Sequence, residues 1–128
     1  MTRPFIVLFL MLAVTLAPEA ATAAEKVPAD SCIAACKKCA KECETCAKCC
    51  KEDSRPECSR MCETCQRMCL VCAELTATKS DLSWDACVLC EKVCTACARE
   101  CAKHNADCCK ACAKVCKDCA ASCANSRK

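Results

Sequence analysis

The chain contains no glycine, and its only aromatic side chains are Phe5, Phe9 and Trp84. Without glycine, no helix can finish on the residue that takes the left-handed C-cap conformation most readily. With Trp84 as the single ring beyond the first 23 residues, there is no aromatic series on which bases could stack. Charge of one sign is also lacking: 19 Lys and Arg stand against 16 Asp and Glu, and Arg3 and Glu19 cancel within the leader, so the remainder keeps the net +3. Lys37, Lys38, Lys41, Glu42, Glu44 and Lys48 mix both signs, as on a solvated helix face. Together these absences exclude a nucleic-acid surface. Large aliphatic residues are scarce too. Beyond the leader the chain offers Val27, Ile33, Leu70, Val71, Leu75, Leu82, Val88, Leu89, Val93 and Val115, with Met61 and Met68. Cysteine and alanine must therefore fill the rest of the interior, cysteine acting as a small hydrophobe.

Long apolar runs are confined to one place. Phe5 to Ala17 is apolar except for Thr15 and follows Arg3, while Ala21, Thr22 and Ala23 offer a cleavage point before Ala24. The run is too short to span a bilayer and reads as a cleaved export signal over residues 1–23, leaving 24–128 as the mature domain. No cysteine follows closely enough for a lipid anchor, so no stable membrane attachment is expected. The expected location is the periplasm or cell envelope.

What the chain does have is cysteine, 23 in all. Cys32, Cys36, Cys39, Cys43, Cys46 and Cys50 form one series. Cys58, Cys62, Cys65, Cys69 and Cys72 form a second. Cys87, Cys90, Cys94, Cys97 and Cys101 form a third, and Cys109, Cys112, Cys116, Cys119 and Cys123 a fourth. Alternating steps of three and four return a side chain to the same side of a 3.6-residue helix, so each series is one stripe of thiols. Only Cys49 and Cys108 fall outside the stripes, each beside a stripe cysteine. Local chemistry predicts four helices of roughly 18 to 24 residues. Asp30 or Ser31 would cap the first, Ser54 with Glu57 would form a capping box ahead of the second with Pro56 in its first turn, Ser83 would cap the third, and Asn105 the fourth. Short links between such helices predict an all-α, antiparallel, up-down-up-down four-helix bundle with a cysteine-lined core.

Three chemistries compete for these thiols. A disulfide-stapled exported bundle suits an oxidising compartment, but disulfide frameworks are usually loop-rich and irregularly spaced, and 23 is odd. Redox catalysis through pairs such as Cys36 and Cys39, or Cys69 and Cys72, would need exposed thiols at helix N-termini, whereas these lie mid-helix; no enzyme is expected. Metal binding fits the spacing, because thiols three or four residues apart reach one ion and facing stripes add ligands. Thiolate selects Cu(I), zinc or iron–sulfur clusters. Zinc in a multi-site, metallothionein-like arrangement would build up negative charge that no seam Lys or Arg offsets. Cu(I) with two shared thiolates stays near neutral, at about one ion per sulfur and on the order of 20 per chain.

The four stripes, from Cys32 to Cys123, resemble those of the bacterial copper storage proteins. The resemblance implies a preformed bundle that fills with Cu(I) from one end, and a homotetramer for exported members. No twin arginine precedes the apolar run, so export of the unfolded chain is the simpler expectation. The copper donor and acceptor are not indicated. An antiparallel bundle would gather Cys49, Cys50, Cys58, Met61, His104, Cys108 and Cys109 at one end, with His104 in register three residues past Cys101 and pointing inward. Cys32, Cys72, Thr76, Trp84, Cys87 and Cys123 would lie at the other. Thioether and imidazole are the weaker donors, so uptake is expected at the His104 end. Met61 and Met68 also read as packing or subunit contacts, His104 as a helix C-cap, and Trp84 as a packing or interface anchor.

Overall fold

The computed structural model describes residues 28–127, so the expected leader lies outside the described residues. Four α-helices and no strand occur among them: α1 Pro28–Glu52, α2 Pro56–Ala77, α3 Ser83–Ala102 and α4 Asp107–Asn125. Each helix packs on two neighbours, in the ring α1–α2–α3–α4. Sulfur contacts fix the direction. Along α1 the partners from α4 run backwards, from Cys32 with Cys123 through Cys43 with Cys112 to Cys50 with Cys109. Between α2 and α3 they run from Cys58 with Cys101 to Cys72 with Cys87. The predicted antiparallel up-down-up-down bundle is the observed one.

The core is narrower in composition than expected. Every buried hydrophobic residue is a cysteine or an alanine, and the stripe cysteines are between 0 and 4% exposed. Ala40, Ala47, Ala73, Ala86, Ala98 and Ala113 are buried beside the stripes, where a larger side chain would hold the helices apart. The large aliphatics do not enter. Leu70, Val71, Leu82, Trp84 and Leu89 are exposed, and Val71, Leu75, Leu82, Leu89 and Val93 line an apolar groove of about 530 Å³ together with Met68. The one buried polar side chain among the described residues, Ser59, donates from Oγ to the Ala47 carbonyl at 3.0 Å and ties α2 to α1. No described helix is long and apolar enough to cross a membrane.

The helix ends differ most from expectation. The first helix already includes Pro28, so neither Asp30 nor Ser31 caps it. The capping box at Ser54 does not form, because Ser54 is committed to the preceding helix. Its φ is 57°, its N–H bonds Lys51 O at 3.3 Å, and Arg55 N–H bonds Cys50 O at 2.7 Å, which is a Schellman ending with serine where glycine is favoured. Lys79 repeats the device after α2: φ 53°, its own N–H on Thr76 O at 3.2 Å, and Ser80 N–H on Leu75 O at 3.0 Å. The helix accordingly ends at Ala77. Ser83 opens α3 instead of capping it, and Ser80 Oγ accepts from Leu82 N–H at 3.2 Å. Ala106, in extended conformation, precedes α4 in place of Asn105 and brings no side-chain cap.

Candidate metal centre

Each stripe delivers its sulfurs to the bundle axis because the helical period and the flanking alanines leave them no other place. The result is one continuous column of thiols. Neighbouring Sγ atoms lie 3.6 to 4.0 Å apart, from 3.6 Å for Cys69 with Cys94 and Cys50 with Cys109 to 4.0 Å for Cys32 with Cys36. Metal–thiolate bonds of about 2.3 Å put ligands of a shared ion roughly 3.8 to 4.6 Å apart, so little movement separates this packing from coordination. Tetrads within 4.8 Å include Cys32, Cys36, Cys72 and Cys123; Cys36, Cys90, Cys119 and Cys123; Cys39, Cys65, Cys69 and Cys94; Cys39, Cys43, Cys65 and Cys116; and Cys43, Cys97, Cys112 and Cys116. These sets overlap, since Cys36, Cys39, Cys43, Cys65, Cys116 and Cys123 each serve two. Zinc sites are closed sets of four, whereas shared sulfurs suit bridged monovalent ions. No lysine or arginine is buried among the described residues, so nothing in the core offsets the charge of tetrathiolate zinc.

The unloaded column is best held as neutral thiols. Burial pushes the Cys87 thiol up to about 11, and Cys58 and Cys109 are likewise raised, first by burial and then by Cys50. In the middle the thiols are each other's hydrogen-bond partners, and these contacts shift neighbours in opposite directions. Cys43 is pushed up against Cys112, while Cys39 is pulled down against Cys116.

Three expected ligands, Cys49, Cys108 and His104, stand apart from the column. Cys49 and Cys108 are joined in a disulfide, with Cα atoms 6.7 Å apart, while the other 21 cysteines are free and buried. Their place outside the stripes turns both away from the axis and toward each other, where the end of α1 meets the start of α4; a bonded sulfur is not a thiolate ligand. His104 is also displaced. The third helix ends at Ala102, so the register does not carry the ring inward. Its Nε2 lies 3.4 Å from Glu100 Oε1, neither at the axis nor capping the helix carbonyls, and it lines a pocket of about 270 Å³ with Glu57, Cys58 and Glu100. Met61 packs against the outside of the thiol core, as does Met68.

Two arginines that carry no periodic signal close the ends. Arg55 Nη2 donates to Cys49 Sγ and Cys108 Sγ, each at 3.8 Å, and to Asp53 Oδ2 at 2.9 Å, while its buried Nε has no partner. At the far end Arg127 donates to the Cys87 and Cys123 carbonyls at 3.2 and 3.5 Å and pairs with Glu91. Cys87 receives a hydrogen bond from Ser126 Oγ at 3.5 Å and lines a pocket of about 250 Å³ with Thr76, Trp84 and Arg127.

An unbroken thiol column inside an all-α bundle defines a polynuclear metal–thiolate protein. The comparisons with known proteins supply the family: a profile described as copper storage protein matches residues 25–128, and the chain belongs to that family. Among solved structures it is similar to Cu(I)-bound copper storage protein BsCsp3, with 34% identity and a TM-score of 0.75 over 79% of this chain and 99% of that one. It is also similar to apo copper storage protein 3 from Bacillus subtilis, with 37% identity and a TM-score of 0.72 over 76% of this chain and 97% of the other. No curated protein matches the chain.

Proposed function

We propose that this protein stores and buffers Cu(I), holding many ions on the thiolates of its axis and serving copper homeostasis without catalytic turnover. One observation carries the reading: 21 free, buried cysteines in continuous sulfur contact, with no buried cation beside them. A disulfide-stapled bundle would have consumed those thiols. Cu(I) is the cargo of the similar BsCsp3 structure. Anaerobic titration with Cu(I) against a competing chelator tests this directly. A plateau on the order of 20 ions per chain is expected, and a plateau at one or two would end the storage reading.

Uptake is assigned to the end where Cys58 lines a pocket with His104, as imidazole is a weaker donor able to pass Cu(I) to thiolate. Met61 is assigned to packing on the core. The exposed apolar groove of α2 and α3 supports assembly into the homotetramer, because a surface of that character is commonly covered by a partner. The family match begins at residue 25, which supports a separate leader over residues 1–23 and placement in the periplasm or cell envelope.

A further inference from the structure

Two sulfurs stand apart from the reservoir. Cys49 and Cys108 are half-buried at the mouth, whereas the stripe thiols are sealed, and they are joined to each other while the other 21 are free. Each directly precedes a stripe cysteine, and those two, Cys50 and Cys109, are only 3.6 Å apart. Charged side chains flank the pair directly. The Arg55 guanidinium donates to both sulfurs at 3.8 Å, and the Asp53 carboxylate lies 4.0 Å from Cys49 Sγ. Copper arriving from water therefore meets this pair beside the first sealed pair of the column.

We infer that Cys49 and Cys108 form a redox couple that reduces Cu(II) to Cu(I) at the mouth, the disulfide seen here being its spent form. The inference rests on the storage reading above. A divalent aquo ion is costly to strip of water and bury in an apolar column, and thiolate sites select the monovalent ion. Reduction at the rim resolves both difficulties before the ion goes deeper. The step balances. The two thiols give up two protons to water and two electrons, forming the S–S bond; two Cu(II) each accept one electron, and the two Cu(I) pass to Cys50 and Cys109. Recharging uses an external thiol reductant, whose two sulfhydryls become a disulfide as the hydrogens return to Cys49 and Cys108. The step is stoichiometric, and since neither residue belongs to a stripe, oxidising them leaves the column whole.

The test mixes the reduced protein with Cu(II) under nitrogen, follows loss of the Cu(II) paramagnetic signal, and locates the resulting disulfide by peptide mass mapping. The wild-type protein is expected to show a fast phase consuming two Cu(II) per chain, with the Cys49–Cys108 bond as product. Cys49→Ser, Cys108→Ser and the double variant are each expected to slow that phase by about tenfold or more. Cu(I) supplied directly should still load the variants to over half the wild-type count, which verifies their fold. Equal rates in the variants, or disulfides scattered among stripe cysteines in the wild type, overturn the inference alone. Failure of the wild-type protein to load Cu(I) supplied directly overturns the storage reading and this inference with it.

Discussion

Loading the column with Cu(I) should expel protons nearly one for one. Adjacent sulfurs lie 3.6 to 4.0 Å apart, and at that range two thiolates repel by about 4 kcal/mol even at an effective dielectric constant near 20. That is roughly three pKa units for each ionised neighbour, added to the burial that already raises Cys58, Cys87 and Cys109. No buried cation relieves the repulsion, so a column without metal is expected to retain protons on neighbouring sulfurs. Each must lose its proton to bind, giving on the order of 20 protons for a filled column and an apparent affinity that rises about tenfold per pH unit for a one-proton site. Anaerobic Cu(I) titration in weak buffer with a pH-stat reads the count, and calorimetry in buffers of different ionisation enthalpy provides a second measure. Release of fewer than about 0.3 protons per ion would show preformed thiolates and refute the neutral column.

The same raised pKa values predict the alkaline stability of the apo protein. A thiol raised by folding contributes stability that is complete below its unfolded pKa and lost as pH climbs through the folded value, so melting of the apo form should fall between about pH 9 and 11, the window marked by Cys87, by a few kcal/mol. The Cu(I)-filled form should be flat across that range, and parallel decline of both forms would contradict the assignment. Glycine at the two left-handed helix ends should help: Ser54→Gly and Lys79→Gly are each expected to stabilise by about 1 kcal/mol, read as a melting rise of about 4–8 °C. Unchanged or lowered melting would mean that the side chains contribute more than the backbone strain costs. Arg127→Ala should expose Cys87 and speed its alkylation several-fold, with mass spectrometry reporting the site; an unchanged rate would show that Arg127 does not close that end.

The stripes were legible because a period of 3.6 acts on every residue of a helix, and placing the cysteines on one side of each rod places them at the axis once four rods close. That Cys49 and Cys108 lie off the stripes was equally plain. Their bonding was not, since it depends on the end of α1 meeting the start of α4, a contact 59 residues apart in sequence. The helix ends differ from the capping pattern position by position: Ser54 finishes the previous helix in a chain without glycine, Ser83 lies inside α3 after Leu82, and Ala106 stands before α4 in place of Asn105. The cysteine periodicity continued to His104 points inward, but the helix stops before it, at Ala102. Arg55 and Arg127 act through single contacts at bundle ends, and no pattern in composition or spacing marks them.

The alternation of cysteine by threes and fours gives each helix two sulfurs per seven residues, so a seven-residue slice through four helices holds about eight sulfurs over roughly 10.5 Å of axis. Storage volume in this architecture is therefore linear in rod length. Duplicating one such slice in all four helices would enlarge the hoard by about eight ions without a new loop or a wider girth, which makes simple elongation the natural route to a roomier vessel.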